Sequence, residues 1–271
     1  MLRRGGLLKA GSLKVAESGG IATLTFCSPA TRNAMTVELG DEFKSAVANL
    51  KENAVTRKLR AVIVTGEGGT FSAGGDVGFL QARIADSAQG NVDAMMAFYH
   101  RFLCVRQLPV PVIAAVNGHA IGAGLCLALG CDIRVIADSA KLAVNFTRLG
   151  IHPGMGATYT LPKIIGHGRA SRMLLAGNQI SAQEAFAMGM CSAVCPAEDV
   201  VKEAARIAEE LSSASNIAVR ETLITCRGDP ADLQGALLRE AKAQALCYAE
   251  GRDLQEALNA LREKRTPKFV A

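Results

Sequence analysis

Pro109-Val-Pro-Val-Ile-Ala-Ala-Val-Asn-Gly-His-Ala-Ile-Gly-Ala-Gly-Leu-Cys-Leu-Ala-Leu-Gly-Cys131 is the stretch whose reading decides the fold. Val112 to Val116 is a short β-branched apolar run, Gly118, Gly122 and Gly124 punctuate a turn, and Leu125 to Leu129 is rich in helix formers. Strand, tight turn and helix start is the order this implies. The first N–H groups of a helix have no partner inside it, and the dipole makes that end positive. Gly122, Ala123 and Gly124 are small enough to let a ligand oxygen approach those groups. Such a start can hold a phosphate, or a carbonyl oxygen that becomes negative during reaction. Leu127 stands where a dinucleotide fingerprint needs its third glycine, and no G-x-x-x-x-G-K-S/T phosphate loop occurs. The competing reading is a buried helix whose small residues serve close packing.

A second stretch bears on that choice. Arg60 to Gly66 reads as another buried strand and runs into Glu67-Gly-Gly-Thr-Phe-Ser-Ala-Gly-Gly-Asp76. Together, the two stretches resemble the enoyl-CoA hydratase/isomerase (crotonase) superfamily, from about Leu13 to the tail at 263–269. The resemblance implies an α/β fold: a crotonase (ClpP/crotonase-like) spiral of ββα units with a C-terminal α-helical region. It divides the chain into a core over 13–197 and a helical trimerisation region over 198–271. In that family a Phe-Ser/Cys-Ala-Gly-x-Asp turn and a Gly-x-Gly turn each give one backbone N–H to an acyl-CoA thioester oxygen. Carried over by position, the donors are the N–H groups of Gly75 and Ala123. Ala73, Asp76, Val77 and Phe146 fall beside the acyl group, and Arg32 and Ala34 lie in the loop that meets the CoA adenine. Lys264 comes from the tail motif, where a neighbouring subunit's lysine meets the CoA phosphates. A homotrimer or dimer of trimers is implied as well, with CoA thioester as substrate or ligand and no resident cofactor.

Composition fits this reading. A chain of 271 residues that is 49% hydrophobic can bury a large core. Aromatics make up 4% and tryptophan is absent, so base-stacking platforms for nucleic acid are not expected. No apolar run reaches the roughly 18–20 residues that a membrane-spanning helix needs. Arg3, Arg4 and Lys9 supply three charges of the net +5, and the first acid is Glu17. Residues 1–12, basic with interspersed leucines, resemble a mitochondrial presequence. The eight cysteines form no C-x-x-C pair and read as reduced core residues. The four histidines are scattered, and no metal is expected.

Other elements follow from local signals. Leu13 to Thr25 alternates around Ser18-Gly19-Gly20 as a hairpin does. Thr36 caps a helix with an apolar face of Leu39, Phe43, Ala46, Val47 and Leu50. Residues 77–108 read as a mostly helical connection, and Asp132 to Ala137 as a strand. Ser181 and Glu184 form a capping box. Beyond Glu198, Val200, Ala204, Ile207, Ala208 and Leu211 make one stripe, and Leu254, Ala257, Leu258 and Leu261 another. Both are read as packing surfaces that include subunit contacts.

The chemistry has a gap. A thioester that is hydrated, isomerised or decarboxylated needs a proton-handling group as well as a polarised carbonyl. Hydratases of the family carry two glutamates; their positions here hold Cys126 and Phe146. Some isomerases place an acid after the Pro of the G-x-x-P segment, where this chain has Gly154. Cys126 is the one titratable group at a matched position, with no cation beside it in sequence to favour a thiolate. His119 reads as a turn residue, Asp76 as a residue that holds its turn, and His152 as facing away. Three functions stay open: an acyl-CoA enzyme of fatty-acid or branched-acid breakdown with an unusual acid/base, a catalytically silent acyl-CoA-binding or scaffold protein, and RNA binding. Turnover on acyl-CoAs separates the first two, and salt-dependent RNA titration tests the third.

Overall fold

The computed structural model describes residues 12–52, 54 and 58–269. The expected presequence over 1–12 therefore lies almost wholly outside the described residues. The chain opens with the expected hairpin, β1 (Leu13–Ser18) and β2 (Ile21–Phe26), paired antiparallel. Helix α1 (Val37–Glu52) follows, and its Leu39 N–H donates to Thr36 Oγ1 at 3.2 Å. Leu39, Phe43, Val47 and Leu50 are buried along its inner face, as the spacing predicts.

Three strand pairs then build the core. β3 (Ala61–Gly66) leads into β4 (Thr70–Ser72), with α2 (Val77–Ala82) and α3 (Ala88–Leu103) after it. β5 (Val112–Val116) leads into β6 (His119–Ile121) and α4 (Ala123–Gly130). β7 (Ile133–Ala137) leads into β8 (Lys141–Ala143), and α5 (Ala157–Ile165) and α6 (His167–Ala176) follow. In each pair the first strand joins a six-stranded sheet and the second a four-stranded sheet. β9 (Ile180–Ser181), α7 (Ala182–Ala187) and β10 (Ala193–Cys195) complete them. The sheet orders are β1-β2-β3-β5-β7-β10 and β4-β6-β8-β9.

By sequence each motif reads as one strand running directly into its glycine turn. The structure interposes β4 and β6, three residues each. Elements that short carry no readable periodicity. β3 and β5 are buried at every position, which is why they read as unbroken apolar runs.

The C-terminal region is helical throughout: α8 (Val200–Ser212), α9 (Asn216–Arg227), α10 (Pro230–Glu250) and α11 (Arg252–Arg262). Val200, Ala204 and Ala208 are buried where α8 packs across β2, β3, β5 and β7. Leu254, Ala257 and Leu258 are buried where α11 meets α2 and the 145–149 turn. Most of each stripe is therefore covered within the chain itself, and only Leu261, at 56% exposure, stays outside. The stripes thus do not by themselves require a second subunit. α9 is pinned by Arg227, whose guanidinium meets Asp132 at 2.7 Å and the carbonyls of Arg106 and Leu108 at 2.7 Å. α10 packs along α3, so the C-terminal helices cover the chain's own core. No helix among the described residues is long and apolar enough to cross a membrane.

Candidate active site

The two motif turns meet face to face. After β4 the chain turns through Gly74 at φ +92°, where a Cβ would lie 2.6 Å from the carbonyl oxygen of Ile121 and 3.4 Å from the amide nitrogen of Ala123. Only glycine accepts both that backbone angle and that contact. Gly124, on the first turn of α4, sits against β4 in the same way: a Cβ would lie 2.6 Å from Ser72 O. The close-packing reading of the small residues is therefore right for Gly124, and it is this packing that sets the start of α4 beside the Gly74–Gly75 turn.

Several contacts lock the first turn. Met35 N–H donates to Gly74 O at 2.8 Å, Asp76 N–H to Met35 O at 3.2 Å and Ala73 N–H to Arg32 O at 2.9 Å. Asn33 is fully buried and its amide donates to Glu67 O and Thr70 O at 3.0 and 2.7 Å. Asp76, expected to hold its turn, does so as the cap of α2, accepting Phe79 N–H at 2.9 Å. Among the described residues the N–H groups of Gly75 and Ala123 donate to no protein acceptor. Both residues line one cavity of about 70 Å3.

That cavity is lined by backbone of the two turns, an apolar wall and a polar floor. Ala73, Gly74, Gly75, Gly122 and Ala123 form the first part. Phe79, Leu80, Phe98, Phe146, Leu149 and Met155 form the second. Tyr99 of α3, with Gln244 and Tyr248 of α10, forms the third. Tyr99 Oη donates to Gln244 Oε1 at 2.9 Å, and Gln244 Nε2 donates to His152 O at 2.7 Å. Burial, with the Glu240 charge next in weight, pushes the Tyr99 phenol well above its ordinary range, and burial does the same to Tyr248. Both are neutral donors at physiological pH.

Gly154 is explained by this floor. A Cβ there would lie 2.5 Å from Tyr99 Oη and 2.7 Å from Gln244 Nε2. The place from which an isomerase acid would project is filled by the tyrosine and the glutamine.

Cys126 is wholly buried in α4 and does not line the cavity. Desolvation, and secondarily the Glu240 charge, pushes its thiol well up, so the fold favours the protonated thiol there. Glu240 itself is buried on α10, where its carboxylate accepts from the N–H of Gly156 at 2.6 Å and from the N–H and Oγ1 of Thr158 at 2.9 and 2.6 Å. It caps α5, and burial raises its pKa against the lowering effect of those donors.

Of the residues singled out in the sequence, Gly75, Ala123, Ala73 and Phe146 come together at the cavity. Arg32, Val77 and Lys264 are exposed and Ala34 is half-buried, and none of the four lines it. His119 accepts Lys141 N–H at 3.0 Å and so holds β6 to β8, a structural role. His152 hydrogen-bonds Pro153 O at 2.6 Å, outside the cavity lining.

A family profile described as enoyl-CoA hydratase/isomerase matches residues 16–271. The chain belongs to that family. It is 34% identical to a crotonyl-CoA hydratase of Syntrophomonas wolfei, over 93% of this chain and 95% of that protein. It is 32% identical to the human enoyl-CoA hydratase domain-containing protein 2, mitochondrial, over 93% and 86%. Its fold superposes on an enoyl-CoA hydratase/isomerase of Pseudoalteromonas atlantica with a TM-score of 0.83 at 29% identity, covering 96% of this chain and all of that one. The crotonase fold and membership of a lyase and isomerase family, both expected from the paired turns, stand on these matches.

Proposed function

We propose that the protein is an acyl-CoA enzyme whose thioester oxygen sits between the N–H groups of Gly75 and Ala123. The single observation that carries this is that two otherwise unused backbone donors, from turns packed against each other, open onto one cavity. A carbonyl there becomes more electrophilic, and the enolate or related oxyanion is stabilised as it forms. One such donor is worth on the order of 3 kcal/mol. Arg32 and Lys264, both exposed, are our choice for the CoA phosphate contacts, with Ala34 beside the adenine and Val77, also exposed, as a further acyl-CoA contact. Fatty-acid or branched-acid breakdown, a mitochondrial location and a trimer or dimer of trimers belong to the same reading. The mitochondrial human relative and the basic leader support the location. Exposed Leu175, Phe186, Leu238 and Leu246 offer apolar surface for assembly.

A second reading is a silent acyl-CoA-binding protein. The observation in its favour is that no carboxylate lines the cavity among the described residues. Losing one general acid or base costs about 10²–10⁴-fold. Crotonyl-CoA hydration should therefore run well below the ~10 s⁻¹ typical of enzymes. Assaying hydration together with a panel of acyl-CoA isomerisation and hydrolysis reactions tests both readings. Turnover of any panel member supports the enzyme; binding without turnover supports the silent protein; hydration at about 10 s⁻¹ or faster supports the enzyme and shows that an unassigned residue carries the protons.

A further inference from the structure

A second cavity, of about 470 Å3, lies where the C-terminal ends of α3 and α9 meet the start of α10. It shares no lining residue with the cavity between the two glycine turns. Its size falls within the roughly 300–1,000 Å3 of small-molecule sites. Leu103, Leu108, Ile224, Leu233 and Leu237 make much of its lining apolar. The charged side chains among them are Lys51, Arg106 and Arg227 against one acid, Asp229.

Arg106 is the half-buried cation of this set, and it has no counter-charge of its own. Its guanidinium donates to two carbonyls, Gly130 O at 3.3 Å and Arg227 O at 3.1 Å, and to no carboxylate among the described residues. Burial lowers its pKa, and the Arg227 charge beside it does so further. Asp132, the acid that acts on it, is held by Arg227 through contacts of 2.9 and 2.7 Å and by Val112 N–H at 2.7 Å. Asp229 is exposed and caps α10, accepting Ala231 N–H at 2.8 Å. Two arginines and Asp132 thus leave one positive charge over. At the same end, the buried hydroxyl of Tyr159 has no partner, 4.0 Å from where a Cβ on the lining residue Gly228 would stand. Buried charges are ordinarily paired. A guanidinium has five N–H donors, and the two carbonyls leave three for another acceptor.

We infer that this cavity is a binding site for an apolar monocarboxylate, a free alkanoate such as octanoate, with its carboxylate on Arg106 and its chain against Leu103, Leu233 and Leu237. The planar guanidinium suits a carboxylate, and the leucines suit the chain. Inorganic phosphate would satisfy the charge and leave the apolar wall uncovered. A neutral chain would do the reverse. The site is independent of the acyl-CoA reading above, since no lining residue is common to both.

Calorimetric titration of the full-length protein with octanoate, octan-1-ol, octylammonium and inorganic phosphate tests this. Octanoate should bind about tenfold more tightly than octan-1-ol, the lower end of what a hydrogen bond to a charged group contributes, and the other two more weakly still. In Arg106→Gln the preference for octanoate over octan-1-ol should fall to within about twofold. The comparison of the four ligands on the wild-type protein needs no change at Arg106, so it decides the matter even where that variant does not fold. The chain has no tryptophan, and Ile224→Trp, at an exposed lining residue, puts a single fluorescent reporter on the cavity. Octanoate should change its emission saturably, and butyryl-CoA should not reverse the change. Octan-1-ol or octylammonium binding as tightly as octanoate, phosphate displacing octanoate at equal concentration, a preference retained in folded Arg106→Gln, a silent reporter, or reversal by butyryl-CoA would overturn the inference.

Discussion

The hydroxyl of Tyr99 occupies the space in which a side chain at Gly154 would begin, 2.5 Å from where its Cβ would stand. The two residues come from α3 and from the loop before α5, and Gln244 of α10 closes the same gap at 2.7 Å. The missing isomerase acid is thus part of a repacked floor, in which two neutral side chains take up the room a carboxylate would need.

Gly154→Ala should destabilise the protein by about 1–3 kcal/mol, the usual cost of overpacking. In a Tyr99→Phe background the cost of the same change should fall but not vanish, because the 2.5 Å contact is gone while Gln244 Nε2 still stands 2.7 Å away. Urea unfolding of the four proteins of this cycle measures it. Equal costs in both backgrounds would show that the hydroxyl is not what excludes the side chain.

The thiols should separate cleanly by reactivity. Cys226 is exposed and should react with an aromatic disulfide reagent in the native protein at pH 8. Cys104 and Cys131, each pushed up to about 12 by burial, and Cys126, pushed well up, should stay silent until denaturant is added. Peptide mapping of the labelled protein identifies the sites. Labelling of native Cys126 at a rate like that of Cys226 would restore it as a candidate nucleophile.

Glu240 gives a pH dependence with a definite sign. Its pKa in the folded protein is raised, first by burial, so the folded state favours its protonated form relative to the unfolded chain. Its contribution to stability is full below the unfolded value of about 4.3 and is lost as pH rises through the folded value. Tyr99 and Cys126, both neutral, and Arg239 are the titratable groups that act on it or feel its charge. Relative to wild type, Glu240→Gln should therefore gain stability as pH rises from 4 toward neutrality. Thermal unfolding across that range checks the trend; a Gln variant that loses ground with rising pH would show that the three donors from Gly156 and Thr158 outweigh burial.

What could be read in the sequence was whatever lies close together along the chain. Val112–Val116 and Ala61–Val64 announce buried strands because every position is apolar, and the glycine turns after them are contiguous motifs. Thr36, Asp76 and the Ser181–Glu184 box are caps whose partners lie three residues away. The floor of the cavity has no such signature. Tyr99 and Gln244 are 145 residues apart, and Gln244 sits in a run of alanines, lysine and glutamine that reads as an exposed helix face. Nor does any local pattern reveal that Cys126 lies within reach of the Glu240 charge, or that α8 spends its stripe on the large sheet and not on another subunit.

Infrared difference spectroscopy of butyryl-CoA labelled with carbon-13 at the thioester carbonyl tests the central claim most directly. Ala123 is the first residue of α4, where proline is tolerated, so Ala123→Pro removes one donor while keeping a helix start. In wild-type protein the carbonyl band of the bound ligand should move to lower frequency than in water, because preorganised N–H groups polarise the bond, and Ala123→Pro should take back part of that shift. A bound carbonyl at its solution frequency, or one whose shift is the same in Ala123→Pro, would contradict a thioester held between Gly75 and Ala123.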